Sequence, residues 1–173
     1  MSQRTRESLK NIIVTSTVIG FAILGLRSSI NAEAVDGYSV EVIDYGIYET
    51  EFMKYKTAPD TYGGKIEQVS TKNLLRRTDQ VPAKKGTKFG IRYILDGAEQ
   101  GKDVKVLVKV VHSATVNDHV MSKSNEWFTT KKIGKISFDG WKLNTASEVI
   151  LGNWTIQIYH EGIKLAEKSF QVF

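Results

Sequence analysis

Apolar residues recur at every second position through most of the chain after its first 34 residues, which is the spacing typical of β-strands. The clearest example is the segment 88–95, whose apolar positions are Phe89, Ile91, Tyr93 and Leu95. No window longer than about ten residues keeps the i, i+3, i+4, i+7 spacing of an amphipathic helix. The pattern predicts a domain built of strands.

Further strands are predicted from the same alternation. They lie at 40–47, 65–69, 74–81, 103–112, 133–138, 154–159 and 166–172. The segment 103–112 is apolar on both of its sides, which predicts a central strand. Two adjacent apolar residues, Val42 and Ile43, interrupt the alternation and predict a β-bulge.

Turn residues separate these strands. Asp-Gly pairs at 96–97 and 139–140 are typical of hairpin turns, and Glu161-Gly162 is expected to turn the final hairpin. Many short strands with turns between them, without a long helix or a repeat, predict an immunoglobulin-like antiparallel β-sandwich of about seven to eight strands. A small β-barrel is the alternative architecture. The core is expected to come from Phe89, Trp154, Phe170 and the valines of 104–111.

The first 34 residues have the profile of a signal peptide. Three basic residues precede an uncharged apolar run at 11–26, which is shorter than the ~20 apolar residues that span a membrane. Small residues at Ala32 and Ala34 then suit a signal peptidase. We expect a cleaved signal helix at 1–34, with the cut between Ala34 and Val35. The basic residues are Arg4, Arg6 and Lys10.

This leader predicts a periplasmic or secreted protein with one domain at 35–173. Arg27, just past the apolar run, favours the alternative of an uncleaved signal-anchor. The chain has no cysteine, which excludes a lipoprotein anchor, disulfides and thiolate metal sites. Removing residues 1–34 takes away four basic and two acidic residues, so the net charge falls from +5 to +3. That charge does not indicate a nucleic-acid partner.

Several stretches taken in order resemble the bacterial family called domain of unknown function 3859. The resemblance covers roughly 40–173 and implies an exported all-β domain, but it brings no activity with it. An insert at 117–132 is peculiar to this chain. The matching stretches are Tyr45–Tyr48, Thr78–Ala83, Gly86, Phe89-Gly90, the valine-rich strand ending at His112, Leu151–Trp154, Gly162, Leu165 and Phe170–Val172.

One candidate metal site stands out. His112, Asp118 and His119 fall within eight residues, and two histidines with a carboxylate are the smallest ligand set for zinc or copper. The spacing also suits a solvated loop, because structural zinc sites need four ligands in fixed geometry. His160 is a more distant candidate. We therefore assign no metal ligand firmly and predict no cofactor.

Trp127 and Phe128 are the best candidates for partner binding. They form an aromatic pair in the polar insert, and tryptophan is enriched at binding hot spots. The competing interpretation is that the pair folds back onto the core. The basic groups around Lys85 and Lys132 are expected to protect strand edges from unwanted pairing.

The sequence carries no catalytic arrangement. No serine lies in a Gly-x-Ser-x-Gly turn, and the acidic residues of the first strand, Glu41, Asp44, Glu49 and Glu51, are expected to face solvent. The predicted function is an exported, non-enzymatic β-sandwich module that binds a protein or a cell-envelope component. An envelope metal-binding protein that uses the loop histidines is the alternative.

Overall fold

The computed structural model describes residues 37–116 and 119–173, which fold into two packed β-sheets. The predicted leader lies outside these residues. No helix in the described part of the chain is long and apolar enough to cross a membrane. The strands are β1 (Ser39–Thr57), β2 (Lys65–Arg76), β3 (Gln80–Val81), β4 (Lys88–Asp96), β5 (Asp103–Val116), β6 (His119–Lys132), β7 (Ile136–Lys142), β8 (Gly152–His160) and β9 (Ile163–Val172), with a 3₁₀ turn at Ala146–Glu148.

The sheets form a β-sandwich. One has the order β2-β1-β4-β7, and the other has the order β3-β9-β8-β5-β6. The predicted all-β sandwich is therefore confirmed, and each sheet keeps two edge strands instead of closing into a barrel. One detail of the prediction is wrong, because β3 pairs with β9 in parallel. The described residues contain nine strands, one more than the eight predicted segments. The additional strand is β6, whose polar sequence had indicated a loop, whereas β3 lies within the predicted strand 74–81.

The core lies between the sheets and follows the alternation of the sequence. β5 lies between β8 and β6, which confirms the predicted central strand. Each fully buried large apolar side chain stabilises the fold by about 1.5–3 kcal/mol. The buried core side chains of β4 and β5 are Phe89, Ile91, Tyr93, Leu95, Val104, Val106, Val108 and Val110.

The turn at 96–97 does not make a hairpin. β4 pairs with β1 and β7, whereas β5 pairs with β6 and β8, so this turn carries the chain from one sheet to the other. An Asp-Gly pair reports a local reversal, and which sheet receives the next strand depends on packing. The final hairpin is confirmed, because β8 and β9 pair across Glu161 (φ 48°) and Gly162 (φ 84°), the two positive φ angles of a type I′ turn.

The pair at 139–140 is not a turn either, because both residues lie inside β7. Gly140 faces Gly90 across the β4–β7 pair, and the ring of Phe138 packs over both glycines. A Cβ atom at Gly140 would lie 2.3 Å from the backbone oxygen of Phe89. Close approach of two strands, rather than chain reversal, explains this glycine.

The second half of β1 and β2 form a long hairpin, residues 48–76, which we call the arm. Register shifts along the β1–β2 pair bend it, and the predicted bulge near Val42 is also present. At the tip of the arm, the carbonyl of Asp60 accepts a 3.0 Å hydrogen bond from the amide of Glu126 on β6. The Lys56 ammonium donates to the Phe128 carbonyl at 2.9 Å. The arm thus starts in one sheet and ends on the edge strand of the other.

Candidate binding cleft

A cleft of about 600 Å³ lies between the arm and strands β6 and β7. It is bordered by two continuous runs, 65–69 on β2 and 138–142 on β7, whereas β6 contributes the alternate residues Trp127, Thr129 and Lys131. Because side chains alternate across a strand, a continuous run marks a strand edge and an alternating one marks a face. β2 and β7 are the two edge strands of one sheet. The cleft is as large as typical ligand pockets.

Three indole rings form a column through the core toward the cleft. The ring centres of Trp127 and Trp141 are 6.2 Å apart, and those of Trp141 and Trp154 are 6.4 Å apart. The Nε1 atom of Trp154 donates to the Ile150 carbonyl at 2.9 Å. Trp127 and Trp141 line the cleft, so a packed aromatic core extends directly into one of its sides.

A buried acid sits between two lysines on the arm side of the cleft. The Glu67 side chain is only 9% exposed, and its oxygens lie 3.6 Å from Nζ of Lys88 and 3.5 Å from Nζ of Lys142. These separations are longer than hydrogen bonds. Burial lowers the pKa of Lys88, and the charge of Glu67 opposes that effect. Lys88 belongs to the basic group around Lys85, which was expected to protect strand edges, but its side chain is buried beside Glu67 of the arm.

A second buried pair ties β6 to β7. Nζ of Lys131 lies 2.7 Å from Asp139 and also donates to the Phe138 carbonyl at 3.2 Å. The Tyr93 hydroxyl donates to the same carboxylate at 2.8 Å. Burial raises the pKa of the Tyr93 phenol, and the charge of Asp139 adds to that effect. This network fixes the distance between the two strands that border the cleft.

Two polar atoms in the cleft lining are buried without a hydrogen-bond partner in the described part of the chain. One is Oε2 of Glu67, which can accept, and the other is Nε1 of Trp141, which can donate. Leaving such an atom unsatisfied costs about 1–3 kcal/mol. A ligand with a matching donor and acceptor would recover part of that cost. The lining also carries six lysines against three carboxylates, so the cleft favours negative charge.

The base of the arm is held by a buried acid. Asp44 accepts hydrogen bonds from the Tyr48 hydroxyl and from Arg92, whose Nε lies 2.7 Å away. Burial alone would raise the pKa of Asp44, but these hydrogen bonds outweigh it and hold the pKa below its usual value. The expectation that all four acids of the first strand face solvent is therefore wrong for Asp44. Its hydrogen bonds to Tyr48 of the same strand and to Arg92 of β4 decide its role.

The structure separates the two residues predicted to bind a partner. Both lie on β6, so the expectation of a loop is wrong. Trp127 is only 7% exposed and belongs to the core, as the competing interpretation held, whereas Phe128 is 56% exposed on the opposite face under Nζ of Lys105. Alternation along a strand makes this separation unavoidable. A binding role for either residue stays a prediction.

The predicted metal ligands are only partly placed. Asp118 lies outside the described residues, as does the side chain of His119. His112 is buried and stacks on Trp154 with ring centres 4.5 Å apart, and neither of its nitrogens has a hydrogen-bond partner in the described chain. His160 lies apart, with Nδ1 3.0 Å from the Lys105 carbonyl. The described residues contain no cluster of three or more ligand-type side chains, and metal binding stays a prediction.

Acidification is expected to destabilise the protein through His112. Burial lowers the pKa of this imidazole, and the charge of Lys123 lowers it further. The unfolded chain, whose histidine titrates near 6.5, therefore takes up the proton more readily than the folded protein. Stability is retained above that pH and falls as the pH drops below it.

The measurement is the free energy of unfolding in urea at pH 8 and pH 5 for the wild type and for His112→Phe, which keeps the aromatic stack. The variant should lose less stability on acidification than the wild type. The other titrating groups are common to both proteins and cancel in the comparison. An equal loss in the two proteins would contradict the assignment.

Apart from Trp127, the residues described above as building the cleft were not predicted from the sequence to form a binding site. Glu67, Lys88 and Trp141 are far apart along the chain and form no sequence motif. The bend of the arm brings Glu67 to β4, which carries Lys88, and to β7, which carries Trp141. The sequence did offer one indication of a buried polar site, because Lys88 begins the most regular apolar segment of the chain. A lysine at the start of a buried central strand needs a partner.

The fold and the cleft define the class of protein: a two-sheet β-sandwich with an aromatic, lysine-rich cleft beneath a hairpin arm. The chain belongs to the family described as Domain of unknown function (DUF3859), whose model matches residues 38–172. The family resemblance noted in the sequence is confirmed. No curated protein matches the chain in sequence.

Solved structures with similarity to this chain include two proteins from Pseudomonas species. One is the crystal structure of an immunoglobulin-like protein from Pseudomonas aeruginosa, with 22% identity, 86% of this chain and 100% of that chain covered, and a TM-score of 0.47. The other is an alkylpurine DNA glycosylase from Pseudomonas fluorescens bound to DNA containing an abasic site analog. It has 12% identity, 54% of this chain and 27% of that chain covered, and a TM-score of 0.38.

Proposed function

We propose that this protein is an exported, non-enzymatic binding module and that the cleft beneath the arm holds a protein or a cell-envelope component. The observation that carries the proposal is that two buried polar atoms of the cleft lining have no hydrogen-bond partner in the described residues. They are Oε2 of Glu67, which lies 3.6 Å from the Lys88 ammonium, and Nε1 of Trp141. Buried polar groups are almost always satisfied in folded proteins. A bound ligand would explain why the described residues leave these two atoms without a hydrogen bond.

Export is supported by the sequence of the first 34 residues. A leader cut after Ala34 would release a domain that begins next to the first described strand, since β1 starts at Ser39. The domain would then meet envelope components in the periplasm or outside the cell. Because the chain has no cysteine, its binding surface does not depend on disulfide formation there.

The test is co-purification from fractionated cells of the protein's own host, with the tagged full chain as bait. Thr129→Trp should abolish recovery of a partner, because Thr129 lines the cleft and an indole there would project into it and obstruct it. Thr130→Trp is the matched control, since Thr130 is exposed on the other face of β6. The intact mass of the purified protein reports in the same experiment whether the chain begins at Val35.

A third variant, Phe128→Ala, separates the cleft from the outer face of β6. Loss of the partner with Phe128→Ala and Thr130→Trp, together with full recovery in Thr129→Trp, would assign binding to the outer face and refute the cleft. Full recovery of the partner in all three variants would refute binding at either surface. A partner lost only in Thr129→Trp is the expected outcome.

A further inference from the structure

We infer that the ligand of the cleft is an extended, acidic peptide segment that adds as a strand to the free edge of β7. This inference rests on the proposed function and names the chemistry of the partner. It draws on three features of the cleft: an open strand edge, side chains of different chemistry on its two faces, and an excess of positive charge.

The first feature is the edge of β7. Within the described residues this strand pairs with β4 alone. The Phe138 carbonyl points away from β4, because it accepts a hydrogen bond from Lys131 of β6. Backbone groups of alternate residues point to the same edge, so the N–H and C=O groups of Gly140 and Lys142 also face the cleft. The Leu143 amide points the other way, to the Thr87 carbonyl of the segment before β4.

An unpaired edge of this kind is a template for another strand. The edge run 138–142 borders the cleft along its whole length, and at about 3.4 Å per residue it can pair with four to five residues of an extended chain. Strand addition to an exposed edge is a common mode of peptide recognition. A saccharide has no N–H and C=O groups at the spacing of a peptide backbone, with which it could pair along such an edge.

The second feature is the difference between the faces of β7. On one face Trp141 joins Trp127 to give an apolar surface, and on the other face Lys142 lies opposite Lys88 of β4. Side chains of an added strand would alternate between these two faces. An apolar residue would then lie beside Trp141. The next residue would lie beside Lys142, where Lys88 and Lys142 share the single carboxylate of Glu67 and leave an excess of positive charge.

The third feature is the charge of the lining, which carries six lysines and three carboxylates. Positive side chains of the peptide would add to this excess, whereas negative ones would reduce it. The inference therefore specifies a peptide in which apolar and acidic residues alternate. Its backbone would also offer an N–H group to Glu67 and a carbonyl to Trp141.

The probe is a synthetic hexapeptide of alternating valine and glutamate with both ends blocked, titrated into the full chain while tryptophan fluorescence and heat are recorded. A hexapeptide of alternating valine and lysine should bind at least about tenfold more weakly. Two further versions carry backbone N-methyl groups on every valine or on every glutamate. Since alternate N–H groups face the same edge, at least one of these versions should lose binding.

The protein variants isolate one backbone N–H group. Lys142→Pro removes the amide hydrogen that faces the cleft, and proline is tolerated on a strand edge whose N–H is unpaired. Lys142→Ala removes the same charge and keeps the amide. Affinity for the valine–glutamate peptide should be about fivefold to tenfold lower in the proline variant than in the alanine variant, as for one hydrogen bond. If the proline variant fails to fold, the N-methylated peptides still test whether the protein binds the peptide backbone.

Two results would overturn the inference. One is equal affinity for the unmodified peptide and both N-methylated peptides, which would show that the backbone is not read. The other is the absence of binding to any peptide. If Thr129→Trp still abolishes recovery of an envelope partner in that case, the proposed function stands and only the peptide chemistry falls. If Thr129→Trp does not abolish recovery, both the proposed function and the peptide inference are refuted.

Discussion

Trp154→Ala is expected to lower the free energy of unfolding by about 3–5 kcal/mol, a large part of the 5–15 kcal/mol typical of a domain. Trp154 is almost fully buried between the sheets. Its ring lies 4.5 Å from the ring of His112 and 5.8 Å from that of Phe89. Alanine would leave a cavity beneath Trp141 and loosen one side of the cleft. Denaturant unfolding monitored by circular dichroism measures the change.

Trp154→Phe is the matched control for this prediction. Phenylalanine keeps an aromatic ring in the same place but removes the Nε1 hydrogen bond to the Ile150 carbonyl. Its cost should be clearly smaller than that of alanine, because less volume is lost. A loss below about 1 kcal/mol for Trp154→Ala would contradict the central place of the indole column in the core.

Lys131→Met is expected to cost about 3–5 kcal/mol, because it leaves the buried Asp139 carboxylate without its opposite charge. The two side chains are 12% and 8% exposed, and the substitution also removes the hydrogen bond to the Phe138 carbonyl. Adding Asp139→Asn to Lys131→Met should restore part of the loss, since the amide is neutral and can still accept from Tyr93. Unfolding in urea of the two single variants and the double variant gives the coupling energy.

The neighbouring residue supplies the control. Lys132 forms an ion pair of the same length, 2.7 Å, with Asp103, but those side chains are 56% and 58% exposed. Water screens such a pair, so Lys132→Met should change stability by less than about 1 kcal/mol. Equal effects of the two substitutions would mean that burial of the Lys131–Asp139 pair does not matter.

Strand positions were readable from the sequence because their signal is local. Phe89, Ile91 and Tyr93 alternate with less apolar residues, and that period of two is a property of any strand with one face in a core. The partners of each strand were not readable. The Asp-Gly pairs at 96–97 and 139–140 were both expected to turn hairpins. The first crosses between sheets, and the second lies inside β7 where two strands approach closely.

The insert 117–132 is a second region whose structure the sequence did not predict. Its polar residues concealed a strand, because β6 is an edge strand with one face in solvent and needs few apolar side chains. Trp127 and Phe128, adjacent in sequence, end on opposite faces. Because both residues lie on one strand, they cannot form a single contact site.

The sequence by itself determined the all-β class, the central strand at 103–112, the final hairpin and the family, since each depends on neighbouring residues or on their order along the chain. Only the tertiary structure decided the cleft. Glu67 reaches Lys88 and Lys142 because bulges bend the arm back over the sheet, and Asp139 meets Lys131 because β6 and β7 lie on the same side of the sandwich. Those contacts join residues whose separation along the chain carries no signal, so packing alone creates them.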